Sequence, residues 1–140
     1  MADLNLDIYT PSKLAYSAGI KAVTIPGTIG SFQVLHNHAP IISTFEPGAI
    51  KVIVDDNNII FFATSGGTVE VLDNKVKILA DSLELVTEID IERAKAALKR
   101  AQERLANKAV DKIDVARAEA ALARALNRIK THEKYLTYHP

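Results

Sequence analysis

The chain has 140 residues, about half of them apolar, and its 17 basic side chains balance its 17 acidic ones. This length suits one domain, or a small domain with an appendage, and the composition is not that of a disordered chain. Because the sequence contains no cysteine, a disulfide framework, a thiolate metal site and a cysteine nucleophile are excluded. The N-terminal residues show no signal-peptide pattern, and the longest apolar run, residues 59–63, is far shorter than the roughly 20 residues that span a bilayer. We therefore expect a soluble protein.

The first part of the chain has the pattern of many short strands. Apolar or β-branched runs occur at residues 4–8, 20–25, 32–35, 41–45, 50–54, 59–64, 68–72 and 76–79. Turn residues such as Pro26-Gly27 and Gly66-Gly67 separate these runs, with no helical period between them. The spacing predicts an antiparallel sandwich or barrel over residues 1–87. Asp73-Asn74 is predicted to form a tight hairpin turn, because both residue types tolerate positive φ.

Near residue 88 the apolar period changes to that of a helix. Apolar residues recur at three- and four-residue intervals in residues 94–105, and again in residues 115–129 after a break at 107–111. Thr87 or Asp90 is expected to cap the first helix, and Asp111 with Asp114 resembles a capping box for the second. A short break favours an antiparallel hairpin over residues 88–140. Its facing stripes are rich in alanine and bury little area, so we expect a marginal pair that exchanges partners.

Charge is distributed unevenly between these two parts. Residues 1–88 hold ten acidic and five basic side chains, whereas residues 89–140 hold seven acidic and twelve basic ones. All six arginines lie in the second part and follow a spacing of seven and then four residues on each predicted helix: Arg93, Arg100 and Arg104, then Arg117, Arg124 and Arg128. Each set therefore shares one helix face. Solvated faces are one interpretation; the other is a carboxylate or phosphate partner, which planar guanidinium groups bind in bidentate fashion.

No catalytic motif accompanies these features. Ser65 is not in a G-x-S-x-G elbow, and the sequence has no phosphate-binding loop of the P-loop or dinucleotide type. His36 and His38 are too few for a metal site by themselves and are interpreted as structural or solvated. A nucleic acid partner is not favoured, because the chain lacks both a basic excess and interleaved aromatic residues. We expect a binding or regulatory protein, not an enzyme.

Three groups of residues resemble the epsilon subunit family of F-type ATP synthases. They are the run from Pro26 to Leu35 with His38-Ala39-Pro40, the run from Gly66 to Val71 with the following strand to Asp81, and the run from Ile89 to Ala94. The order is that of the family over nearly the whole chain. One departure is His36-Asn37, where the family more often has Pro-Gly.

The resemblance implies a ten-stranded antiparallel β-sandwich followed by a two-helix hairpin, a segregated α+β fold. It also implies a non-catalytic subunit of the central rotor stalk that couples rotation to proton translocation and contacts the gamma subunit and the c-ring. Hydrolysis is regulated in that family when the hairpin opens and its second helix reaches the alpha and beta subunits. The location implied is the cytoplasmic face of the bacterial cell membrane, as a peripheral part of the complex.

Some bacterial members bind ATP on the folded hairpin, as a regulatory ligand and not a required cofactor. The matching positions here are Glu84, Ile89, Asp90, Arg93, Ala94, Arg100, Arg117, Arg124 and Arg128. Two alternatives stay open at this point. The hairpin is purely structural, with its arginines pairing only with acidic residues of its partners, or the chain is an independent ligand-binding β-sandwich with a helical dimerisation arm.

Overall fold

Ten strands precede two helices in the computed structural model, which describes residues 4–107 and 112–135. The strands are β1 Leu4–Thr10, β2 Lys13–Ile20, β3 Ala22–Ile25, β4 Phe32–Val34, β5 Ile41–Phe45, β6 Gly48–Asp55, β7 Asn58–Thr64, β8 Gly67–Leu72, β9 Lys75–Ala80 and β10 Leu83–Leu85. The helices are α1 Ile91–Ala106 and α2 Lys112–Tyr135, and a 3-10 turn, Val86–Glu88, precedes α1. The chain divides into two units, Met1–Leu85 and Val86–Pro140. The predicted boundary, 87/88, lies two residues further along.

The first unit consists of two five-stranded sheets. Their strand orders are β2-β1-β9-β8-β5 and β10-β7-β6-β3-β4. Alternate residues point into a single apolar core; Leu4, Leu6 and Ile8 of β1, for example, are no more than 1% exposed. This period of two is the pattern that the sequence predicted, and the ten-stranded sandwich followed by two helices is confirmed.

One strand pair differs from the antiparallel arrangement that was predicted. β1 and β9 pair in parallel, with Leu6 opposite Val76 and Ile8 opposite Ile78. A parallel pair cannot be joined by a tight hairpin and needs a long connection. Here the whole sequence between β1 and β9 provides that connection, so the chain is free to place the two strands in the same direction.

The turn between β8 and β9 has the conformation that its residues predict. Asp73 has a φ of 50° and Asn74 a φ of 61°. Both values are left-handed, as a two-residue hairpin turn between right-twisted strands requires. The register Leu72↔Lys75 closes the hairpin directly around these two residues.

Candidate functional site

Asp90 begins the first helix of the second unit. Its backbone is extended, with φ −82° and ψ 98°, and its Oδ1 accepts a hydrogen bond from the backbone N–H of Arg93 at 3.1 Å. This satisfies one of the N–H groups that the first helical turn leaves without a partner. Of the two predicted caps, Asp90 is therefore confirmed, whereas Thr87 lies in the preceding 3-10 turn. Asp111 lies outside the described residues.

Alanines form the centre of the contact between α1 and α2. Ala94, Ala101, Ala118 and Ala125 are at most 5% exposed, while Leu98 and Leu122 beside them are only half-buried. Counted from the ends that face the connecting segment, the alanines match in height. Ala101 lies five residues before the end of α1 and Ala118 six residues after the start of α2. The predicted alanine-rich stripe is thus the packing face, and each buried methyl contributes little apolar area.

Arginines of the two helices also match in height when they are counted from the helix ends that face the connecting segment. Arg100 lies six residues before the end of α1 and Arg117 five residues after the start of α2; for Arg93 and Arg124 the distances are thirteen and twelve residues. Each of these four residues comes one position before a buried alanine. In two antiparallel right-handed helices, the residues one position before the contact residues lie on the same side of the helix pair. We infer from this counting that the hairpin presents two levels of paired arginines on one side.

These four arginines are exposed and pair with no carboxylate among the residues that the structure describes. Seven residues of helix separate the two levels, which corresponds to about 10 Å. Arg128 is half-buried and lies near the height of Asp90, each sixteen residues from the facing helix end. Like charges are thus brought together at two levels, and an anion placed between them would relieve their repulsion.

The remaining predicted site residues differ in placement. Ile89 and Ala94 are buried, at 6% and 0% exposure, so only their backbone groups are open to a ligand in this state. Glu84 is half-buried in β10 opposite Ala63 and belongs to the first unit. The second unit thus holds every residue of the predicted set except Glu84.

Thr131 is not among the site residues predicted from the sequence. This hydroxyl is only 3% exposed, and its Oγ1 donates to Asn127 Oδ1 at 3.2 Å. It lies on a different face of α2 from Ala118 and Ala125, and α2 also contacts the 3-10 turn that includes buried Val86. A threonine within a helix gives no apolar signal, so no periodicity argument would have found it.

Groups with catalytic potential are few in the described residues. The Ser65 and Ser82 hydroxyls lie 2.7 Å apart, and the partner that the structure gives each of them is the other hydroxyl. His38 Nδ1 lies 2.7 Å from its neighbour's carbonyl, Ala39 O. Within residues 4–107 and 112–135, no three His, Cys, Asp or Glu side chains are grouped so as to hold a metal ion.

Two family models match the chain in sequence and together span most of it. Residues 3–86 match the model of the ATP synthase delta/epsilon chain β-sandwich domain, and residues 87–133 match that of the delta/epsilon chain long α-helix domain. The chain belongs to the ATP synthase delta/epsilon family.

Similar proteins agree with this assignment. The ATP synthase epsilon chain of Salinibacter ruber is 44% identical over 75% of this chain and 76% of its own length. That of Pelotomaculum thermopropionicum is 46% identical over 74% of this chain and 76% of its own. A chain in the structure of the Euglena gracilis mitochondrial ATP synthase OSCP/F1/c-ring has the same fold, with a TM-score of 0.78 at 23% identity over 91% of this chain and 79% of that chain.

Membership of this family sets aside the independent ligand-binding sandwich as an interpretation.

Neither helix in the described part of the chain has the length and apolar character needed to cross a bilayer.

Proposed function

We propose that the chain is a non-catalytic central-stalk subunit that couples rotation to proton translocation and regulates ATP hydrolysis through a movable helical pair. The observation that carries the regulatory part is the double level of exposed arginines on a helix pair held together by alanines. Such a pair exposes little apolar area when it opens, so opening costs little free energy. An anion bound between the positively charged arginines would stabilise the closed pair.

The first unit supplies the attachment to the gamma subunit and the c-ring. Ile42 on the outer face of edge strand β5 is 79% exposed, and Leu72 on the neighbouring strand β8 is 47% exposed. Ile29, on the loop between β3 and β4, is fully exposed. Exposed apolar clusters of this kind are typical of protein contacts, and we assign Ile42 and Leu72 to the gamma subunit and Ile29 to the c-ring.

Attachment is tested by co-purification of the chain with gamma. Ile42→Asp should reduce the amount of gamma retained at least tenfold, because it places a charge in an apolar contact. Ser12→Asp is the control, since it places the same charge at an exposed turn between β1 and β2, near the edge of the sheet opposite to β5. Equal retention by the two variants would contradict the assignment of Ile42.

Regulation requires α2 to leave α1 and reach the alpha and beta subunits. As one helix of 24 residues, α2 extends over about 36 Å, enough to reach deep into a neighbouring assembly. Ending the chain at Asn107 removes α2 and should raise ATP hydrolysis by the assembled complex. Unchanged hydrolysis by a complex that still contains the truncated chain would refute the regulatory role.

ATP is the ligand that we assign to the arginine levels. Arg93 with Arg124 and Arg100 with Arg117 supply paired guanidinium groups for the phosphates, with Arg128 near the height of Asp90. Asp90 caps the helix through its Oδ1, which accepts from the Arg93 backbone N–H. We assign its other carboxylate oxygen, Oδ2, to accept a hydrogen bond from the adenine amino group. Ile89 and Ala94 belong to the same assignment through the resemblance of the sequence to ATP-binding members.

Calorimetric titration of the full-length chain tests this site. Arg100→Gln should weaken ATP binding about tenfold or more, because a hydrogen bond to a charged group contributes roughly 1.5–3 kcal/mol. Lys99→Gln removes one charge from the adjacent, equally exposed position and serves as the matched control. If ATP gives no heat at millimolar concentration, the hairpin is structural and its arginines pair only with acidic residues of its partners.

No step of chemistry is assigned to this chain. A nucleophile needs an adjacent base, and the Ser65–Ser82 pair has only a second hydroxyl. We place the chain at the cytoplasmic face of the bacterial membrane, held there through the complex.

A further inference from the structure

The two helices carry the same sequence pattern. Residues 90–105 and 114–129, aligned with an offset of 24, are identical at nine of 16 positions. The shared pattern is D-[IV]-x-R-A-x-A-A-L-x-R-A-x-x-R-[LI], which includes the arginines, the buried alanines and the half-buried leucines Leu98 and Leu122. The repeated positions therefore include those that form the contact between the helices, so the two helices share more than a similar composition.

An antiparallel pair of equivalent faces is nearly two-fold symmetric. Ala101 and Ala118 match in height near the connecting segment, as Ala94 and Ala125 do at the far end. The same counting places Ala97 near the height of Leu122 and Leu98 near that of Ala121, so that a small residue of one helix is expected to pack against a large residue of the other. An interface with this symmetry is isologous, which means that each face is complementary to a copy of itself.

We propose that α2, once it has left α1, pairs antiparallel with α2 of a second copy of this chain. In that pair Ala118 meets Ala125 of the second copy, and Ala121 meets Leu122, so the contacts repeat those of the closed hairpin. The inference rests on the opening of the hairpin given above as the proposed function. The partner is a second copy of this chain, because a copy supplies the matching repeat.

The length of overlap favours α2 over α1 for this pairing. Centred between Ala121 and Leu122, two copies of α2 overlap over about 20 residues, from Lys112 to Thr131. The closed hairpin is limited by the 16 residues of α1. A longer overlap buries more apolar surface for the same face.

Electrostatic repulsion between two copies of α2 is no greater than the repulsion between α1 and α2 in the closed hairpin. α1 has five basic and two acidic side chains and α2 six and three, so each helix has a net charge of +3. Opposite charges also meet at both ends of the pair, because the repeat places Asp114 near the height of Arg128 in the second copy. These positions repeat the relation of Asp90 to Arg128 in the hairpin.

Single-cysteine variants of the full-length chain test the pairing, because the native sequence has no cysteine to interfere. Ala121→Cys places a thiol beside the two-fold axis, whereas Ala120→Cys places one on the exposed face of the same helix. Under mild oxidation, Ala121→Cys should form disulfide-linked dimers at least ten times faster than Ala120→Cys. The unmodified chain should show reversible dimers in sedimentation that disappear on dilution.

Three results would overturn the inference. Equal cross-linking of the two variants excludes pairing through this face. Linkage only between Ala97→Cys and Ala121→Cys in a mixture shows exchange of α1 with α2 and not pairing of like helices. A monomer at every concentration, with no Ala121→Cys dimer, excludes self-association.

A labelling experiment separates this inference from the proposed function. Ala118 is 2% exposed, so Ala118→Cys reacts with a thiol reagent only when the hairpin opens. Labelling without Ala121→Cys dimers overturns the pairing and leaves hairpin opening intact. Absence of labelling over hours removes both.

Discussion

Asn37 and Asn74 connect two turns of the β-sandwich through reciprocal amide contacts. The Asn37 backbone N–H donates to Asn74 Oδ1 at 2.6 Å, and Asn74 Nδ2 donates to Asn37 Oδ1 at 3.3 Å. Both residues are left-handed, with φ of 62° and 61°, and the Asn74 carbonyl accepts from Asn5 N–H at 3.0 Å. Asparagine adopts this conformation more readily than other non-glycine residues. Asn37 thus adopts the left-handed conformation of its own turn and connects that turn to the β8–β9 hairpin.

Substitution at Asn74 should separate the side-chain contribution from that of the backbone conformation. Asn74→Gly keeps positive φ and loses the amide contacts, for a cost of about 1 kcal/mol in the free energy of unfolding. Asn74→Ala loses both and should cost about 2 kcal/mol or more, since alanine is disfavoured at positive φ. Urea unfolding of the full-length chain measures the two. Equal losses would mean that the left-handed conformation contributes nothing at this turn.

The Lys21–Asp56 ion pair predicts a small acid-dependent term in stability. Lys21 Nζ lies 2.7 Å from Asp56 Oδ1, and this hydrogen bond, together with the charge of Lys21, lowers the pKa of Asp56 below its usual 3.8. A lowered folded-state pKa stabilises the fold above the unfolded-state pKa, and the effect is lost as the pH falls through the folded-state value. Both side chains are well exposed, so the effect is small and screened by salt.

Asp56→Asn should therefore be less stable than the native chain at neutral pH, and the difference should vanish in acid, below the folded-state pKa of Asp56. Thermal unfolding midpoints across this range, at low ionic strength, measure the convergence. Asp81→Asn is a suitable control because Asp81 is an exposed carboxylate on the same unit. A difference that stays constant down to acid pH would show that the ion pair is not its source.

Tyr16 predicts a change in stability at alkaline pH. Its ring meets Phe62 edge to face, with centroids 5.3 Å apart and planes at 64°, and partial burial raises the pKa of its hydroxyl above 10.0. Since the fold favours the neutral phenol, its contribution is complete below the unfolded-state pKa and is lost as the pH rises through the folded-state value. Tyr16→Phe retains the ring contact and removes this dependence. Unfolding midpoints of the two chains should draw apart above about pH 10; a constant difference would contradict the prediction.

The sequence predicted elements best where one face is fully buried. The helices were placed within a few residues, because the period around Ala94 and Ala118 is regular and Asp90 provides a cap. β2 and β10 were not predicted. β2 has one fully buried residue, Ile20, and contains serine and glycine, so its sequence shows no alternation; β10 has only three residues.

The candidate site was predictable in composition but not in arrangement. Arginine spacing identified one face on each helix, yet the pairing of Arg93 with Arg124 in height depends on the length of the connecting segment and the register of the alanines. Burial of Thr131 depends on contacts that local periodicity does not encode. These are tertiary effects, and single-sequence patterns report only the local ones.

Overpacking of the helix contact should shift the hairpin towards its open state. Ala118 is 2% exposed, and Ala118→Leu adds volume to a close helix contact, which costs about 1–3 kcal/mol in the closed state and nothing in the open one. The ratio of open to closed hairpins should therefore rise by about five- to 160-fold, and ATP binding to the closed state should weaken accordingly. Hydrolysis by the assembled complex should fall, because more copies of α2 are available to the alpha and beta subunits. Ala120→Leu makes the same change on the exposed face two residues away and should leave both measurements unaltered. If the two complexes hydrolyse ATP at the same rate, closure of this helix pair does not control the enzyme.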